Sequence, residues 1–108
     1  MRPIPLEMRE ALAEERFMKK CCLYEVGYEC EGRVEWHHNL IFAGRQVNEK
    51  WAILPLCHWH HNRINQYKKK CDWVMLNRVT DEELKPFCKA IDYIGMRAKL
   101  NTEYGTRS

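Results

Sequence analysis

The chain is 108 residues long, 45% hydrophobic and 31% charged, with a net charge of +3. That is the composition of one ordinary soluble domain with a modest core, and no apolar run approaches the length of a membrane span. The small positive charge points to an anionic partner only if it is clustered. The N-terminus, Met1-Arg2-Pro3-Ile4-Pro5, lacks the apolar centre of a signal peptide, so a cytoplasmic chain with reduced thiols is expected. Its six cysteines then read as metal ligands or core residues rather than three disulfides.

Pro5 to Lys20 reads as a helix, with Glu7 and Glu10 early and Lys19-Lys20 late, as the helix dipole prefers. Cys21 to Arg33 looks irregular, with Gly27 and Gly32 as turn residues. Val34, Trp36 and His38 alternate with Glu35 and His37, which predicts a short strand. Asn39 to Lys50 is polar and marked by Gly44, and reads as a loop. Trp51 to Leu54 is a second apolar strand, stopped by Pro55.

A helix follows from His58 to Lys70, its buried stripe running through Ile64, Tyr67, Cys71 and Val74. Thr80 and Glu83 form a capping box for a last helix that buries Leu84, Phe87, Cys88, Ile91, Ile94 and Ala98, with a kink or restart at Pro86. Residues 101–108 read as a frayed tail. Trp36, Trp51 and Trp73 look like core, and so do Trp59 and Tyr67. Cys71 and Cys88 read as small hydrophobes on these stripes. The expected class is α+β: one domain, a core over about residues 20–70, and flanking helices near 5–20 and 80–100.

All five histidines fall between Trp36 and Asn62. Imidazole at this density rarely serves packing, because each ring has two nitrogens that need partners. Cys57 and His60 have the spacing at which one turn presents two zinc ligands, and Cys22 and Cys30 offer a second pair, making a Cys3His tetrahedron. Cys21 could replace Cys22 in that set, and His58 could replace His60. If His60 binds zinc, His61 points elsewhere, since successive helical residues diverge by about 100°. His61 can then face His37 and His38 across the strands. One imidazole could act as a base there, beside a divalent ion with open positions, an arrangement that hydrolyses phosphodiesters.

The stretch Glu35-Trp36-His37-His38-Asn39, with Leu54-Pro55-Leu56-Cys57-His58-Trp59-His60-His61, resembles the HNH endonucleases. The resemblance covers about residues 20–70 and is closest to the zinc-stapled phage and prophage branch. It implies a ββα-metal core in which His38 is the general base and His61 a ligand of catalytic Mg2+ or Mn2+. His37 stands before the base, where an aspartate is common, and Asn65 completes the ion site. Cys22, Cys30, Cys57 and His60 match the structural zinc ligands. The family's middle asparagine falls near Ala52, so Asn39 or Asn48 would have to substitute from the loop. Histidine at position 37 shifts the preferred ion toward Mn2+, Ni2+ or Zn2+.

The partner implied is DNA, branched or single-stranded, with a protein partner in phage or repair machinery and no membrane. Arg45 would stabilise the transition-state phosphate. Arg63, Lys68 and Lys69 would meet the backbone, although a lysine run is also what a solvated helix face looks like. The competing expectation is a zinc-stapled DNA- or protein-binding module that has lost its chemistry.

Overall fold

The computed structural model describes residues 4–24 and 30–105. Its centre is an antiparallel pair, β1 (Val34–His38) on β4 (Ile53–Cys57), with Val34 opposite Cys57 and His38 opposite Ile53. Every residue of β4 is buried, whereas β1 is half-buried throughout. Trp36 packs with Leu12, Met18 and Ile53 beneath the N-terminal segment. Glu35 and His37, one residue out of phase with Trp36, therefore occupy the opposite face of the strand.

Pro55 does not end a strand at Leu54. It sits in the middle of β4, and Lys50–Ala52 forms a single 3-10 turn ahead of it. The reason is geometric. The Pro55 carbonyl accepts the Cys22 N–H at 2.8 Å, so it points away from β1. In an antiparallel strand a residue's nitrogen and carbonyl face the same edge. The missing N–H of proline thus falls on the outer side and breaks no ladder bond.

The stretch from Asn39 to Lys50 is also more regular than its polarity suggests. β2 (Ile41–Phe42) and β3 (Arg45–Gln46) form a small hairpin closed by Ala43-Gly44. Both turn residues have positive φ, 53° and 76°, the pattern of a two-residue type I′ turn. Glycine adopts it freely, while alanine pays about 1 kcal/mol. Ala43→Asn should therefore stabilise the protein by about 0.5–1 kcal/mol, read as a raised denaturant midpoint at constant slope.

The helices are shorter and more broken than the apolar periodicity suggests. α1 spans Leu6–Glu14 and gives way at extended Glu15 to a 3-10 turn over Arg16–Lys19. α2 (His58–His61) leaves β4 directly, and after Asn62-Arg63 the chain restarts as α3 (Ile64–Leu76). Cys71 and Val74 are buried on α3, as expected, together with Trp73, Met75 and Leu76.

Thr80 and Glu83 do form the capping box, opening α4 (Asp81–Leu84). Pro86 lies in the 3-10 turn that follows, and α5 (Tyr93–Tyr104) begins afresh with Asp92 accepting the Gly95 N–H. That restart resets the register, so Ile91 and Ala98 are exposed rather than core. The expected tail is ordered as far as Tyr104, because Asn101 Oδ1 accepts from Trp73 Nε1 and Asn77 Nδ2 at 3.0 and 2.9 Å.

The described residues thus make a small α+β domain in which α3 and β4 are large contributors to the core. None of their helices is long and apolar enough to cross a membrane. The turn expected at Gly27, the first three residues and residues 106–108 lie outside the described residues.

Candidate metal centre and histidine cluster

Where β4 ends, Cys57 caps α2, its Sγ accepting the His60 N–H. Cys21, Cys30 and Cys57 converge on His60 Nδ1, with Sγ to Nδ1 separations of 3.5, 3.6 and 3.1 Å. All four ligand atoms lie within 4.8 Å of one another. Tetrahedral zinc, with Zn–S of about 2.3 Å and Zn–N of about 2.0 Å, places S and N about 3.5 Å apart. The spacing fits such an ion, and these four side chains could hold a metal such as zinc.

The set corrects one expected ligand: Cys21, not Cys22, completes it. Cys22 is tied through its N–H to the Pro55 carbonyl, and its side chain is buried in the main core. The alternative of His58 for His60 also falls away, because His58 is exposed and turns to Glu35.

Burial pushes the Cys21 thiol above its ordinary pKa and, with the neighbouring sulfurs, takes Cys30 to about 12. Burial raises Cys57 too, but the amides of His60 and Glu31 together with the Cys30 and Cys21 thiols outweigh it and bring that thiol below its ordinary value. Three crowded sulfurs can all be thiolates only if a cation joins them. Burial holds the His60 pKa below its usual value, which keeps the ring neutral. Trp59 and Tyr67 stand edge-on to that ring at 5.0 and 4.9 Å and shield it.

His61 does point away from this centre. Its Nδ1 lies 2.8 Å from Glu35 Oε1, while His58 Nδ1 lies 3.0 Å from Glu35 Oε2. Those two hydrogen bonds draw the Glu35 carboxyl down to about 2. A carboxylate behind one ring nitrogen fixes the tautomer and leaves the other nitrogen as a ligand or base. The His61 ring meets His37 edge-on, with centroids 5.2 Å apart. His37 Nε2 is buried and has no hydrogen-bond partner among the described residues. Burial first, then the charges of His61 and Lys68, lowers the His37 pKa to about 4.

Being neutral when folded, His37 links stability to acid. Between pH 6.5 and about 4 the unfolded chain takes up a proton that the folded ring refuses. Stability should therefore fall as the pH drops through that window, by about 3 kcal/mol at most and less after solvent screening of a partly exposed ring. His37→Gln should flatten the slope in urea titrations run from pH 7 to 4.

His38, the last residue of β1, places Nε2 2.8 Å from Asn48 Oδ1. With Asn48 as acceptor, the proton sits on Nε2 and Nδ1 is the basic nitrogen. His37, His38 and Asn65 line one open cavity of about 410 Å3, along with Lys68. His37, His38 and His61 are not grouped as tightly as the thiolate centre. Among the described residues, only that centre brings three or more His, Cys, Asp or Glu ligands so close together.

The basic residues are more engaged than the sequence implies. Arg63 stacks on the Trp59 ring at 4.1 Å, Lys68 pairs with Asp72, and Lys69 pairs with Glu103 at 3.1 Å. Arg45 is exposed at the β2–β3 hairpin and lines a second depression with Phe42, Asn48 and Phe87. Asn48 lies on the walls of that depression and also holds His38.

Two groups gain a role that the sequence reading did not give them. Glu35 reads as a polar residue of an alternating strand, and the signal was its place two residues before His37, on the same face. Asp72 reads as an ordinary polar position on α3. Neither a protein-family model, nor a curated protein, nor a solved structure gives a significant match to this chain.

Proposed function

We propose that the protein is a metal-dependent endonuclease of the HNH kind, stapled by a structural zinc, that hydrolyses phosphodiester bonds in DNA. The observation that carries this reading is the Glu35–His61–His37 arrangement: a carboxylate orients one imidazole, which meets a second, neutral imidazole whose Nε2 is unsatisfied. A half-buried imidazole kept neutral has one ring nitrogen with a lone pair to offer, which suits metal ligation. The chain order of strand, strand and helix, with the thiolate centre at the junction, is compatible with a ββα-metal core. Cys21, Cys30 and Cys57 are not joined in disulfides, which suits a reducing cytoplasm.

In this reading His37, His61 and Asn65 would hold a catalytic ion. A divalent ion there would neutralise charge on the phosphate and lower the pKa of water. His38, its Nε2 engaged by Asn48, takes the proton of the attacking water on Nδ1. Lys68, on the wall of the same cavity, and Arg45, at the separate hairpin depression, would meet phosphate oxygens. Two imidazole donors favour Mn2+, Ni2+ or Zn2+ over Mg2+.

The test is incubation of plasmid and single-stranded DNA with the purified protein across these four ions. Nicking that needs the ion and is abolished by His38→Ala is the expected result. A second reading, a zinc-stapled binding module without chemistry, draws on Ala52. That residue is fully buried and offers no side-chain hydrogen bond where the resembling family carries asparagine. DNA affinity indifferent to divalent ions, with no cleavage under any of them, would establish it instead.

A further inference from the structure

The thiolate centre is not sealed on all sides. Cys21 and Cys57 are buried, but Cys30 is only half-buried. All three cysteines line one open depression of about 290 Å3, together with Lys19, Lys20 and Tyr24. That is room for several water molecules, so a small solute reaches the sulfurs without any opening of the fold.

Thiolates in such a place are nucleophiles as well as ligands. A sulfur is reactive when it is ionised, reachable and beside positive charge. Bound zinc keeps coordinating thiols deprotonated, the depression admits the reagent, and two lysines stand on its walls. The four ligand atoms lie within 4.8 Å of one another, so side-chain rotation brings two sulfurs to bonding distance.

The three sulfurs are not equivalent. Cys57 ends β4 and caps α2, with the His60 N–H on its Sγ at 3.4 Å. Cys21 and Cys30 both stand in irregular chain, one after the N-terminal 3-10 turn and the other ahead of β1. They are the pair that can close on each other with the least disturbance to the fold.

We propose that the centre is a peroxide-responsive switch, in which Cys30 is oxidised first and Cys21 closes a disulfide on it, releasing the metal. The inference rests on the reading of this centre as a zinc site and not on DNA cleavage. In the first step the Cys30 thiolate attacks one oxygen of hydrogen peroxide. An S–O bond forms, the O–O bond breaks, and the departing hydroxide takes a proton from solvent. The Cys21 thiolate then attacks the Cys30 sulfur, the S–S bond forms, and the second hydroxide leaves and is protonated. Two thiolates have lost two electrons, and one peroxide has become two waters. Cys57 and His60 then remain as two ligands where tetrahedral zinc takes four.

The zinc-loaded full chain is treated with hydrogen peroxide, and released metal is read with a chromogenic chelator too weak to strip the untreated protein. Non-reducing peptide mapping locates the new bond. One zinc should leave for each peroxide consumed, with Cys21 joined to Cys30, and dithiothreitol with added zinc should restore the loaded form. Cys30→His keeps four ligands but removes the reachable thiol, and should slow the release by about tenfold or more. Cys88→Ser, at a half-buried cysteine outside the centre, should leave the release unchanged.

Zinc retained under peroxide, or released with the bridge between any other pair, would overturn the switch while the zinc reading stands. So would release that a zinc-loaded Cys30→His does not slow. If that variant takes up no zinc, the wild-type peptide map decides alone. A chain unable to bind zinc at all removes the centre and the switch together.

Discussion

Stripping the metal from Cys21, Cys30, Cys57 and His60 should unfold the protein outright. The four ligands come from three separate segments: the turn after the N-terminal helix, the approach to β1, and the junction of β4 with α2. Structural zinc in such sites contributes about 10–16 kcal/mol of apparent binding free energy, as much as or more than the 5–15 kcal/mol stability of a whole domain. A strong chelator should therefore abolish the cooperative thermal transition seen by circular dichroism, and zinc should restore it. Cys21→Ser should lose bound metal, while Cys22→Ser should keep one ion per chain and lose only about 1–2 kcal/mol of core packing. Lower pH should weaken the metal, because binding must strip protons from Cys21 and Cys30, whose pKa values lie above the ordinary range. A chelated protein that melts where the untreated one does would remove the centre from the account.

His38→Ala should leave the fold intact and reduce DNA cleavage by about 10²–10⁴, the usual contribution of a general base. The ring is only half-buried at the end of β1, where it hydrogen-bonds Asn48 Oδ1. Glu35→Gln should behave differently, because Glu35 acts through His61 rather than on substrate. Losing the carboxylate should weaken the catalytic ion by about 10–100-fold, the range for such supporting partners. Titration of activity against Mn2+ separates the two. The His38 variant should stay slow at saturating ion, while the Glu35 variant should recover most of its rate. Equal losses at saturating ion would mean that Glu35 supports the fold and not the ligand.

Much of this was legible because the relevant signals are local. The Cys57/His60 spacing, the divergence of His61 from His60 and the Thr80–Glu83 box each depend on residues within one helical turn. What escaped depends on distant partners. Pro55 reads as a strand breaker until the Cys22 amide is found on its carbonyl. Cys21 and Cys22 are equivalent in spacing, and only the docking of Cys22 onto β4 separates them. Polarity hid the β2–β3 hairpin, since alanine rather than asparagine precedes Gly44 in its turn. The ordered α5 end depends on a bond to Trp73 that no composition rule reveals.

The proline at the centre of β4 has one more effect. A two-stranded ribbon has two open flanks, and this one carries a fully apolar strand of the sort that seeds intermolecular β-stacking. On the β4 flank a neighbouring molecule would find one amide missing at Pro55 and that residue's carbonyl already taken by Cys22. The chain can therefore keep Ile53-Leu54-Pro55-Leu56 wholly hydrophobic without offering it as a template for aggregation.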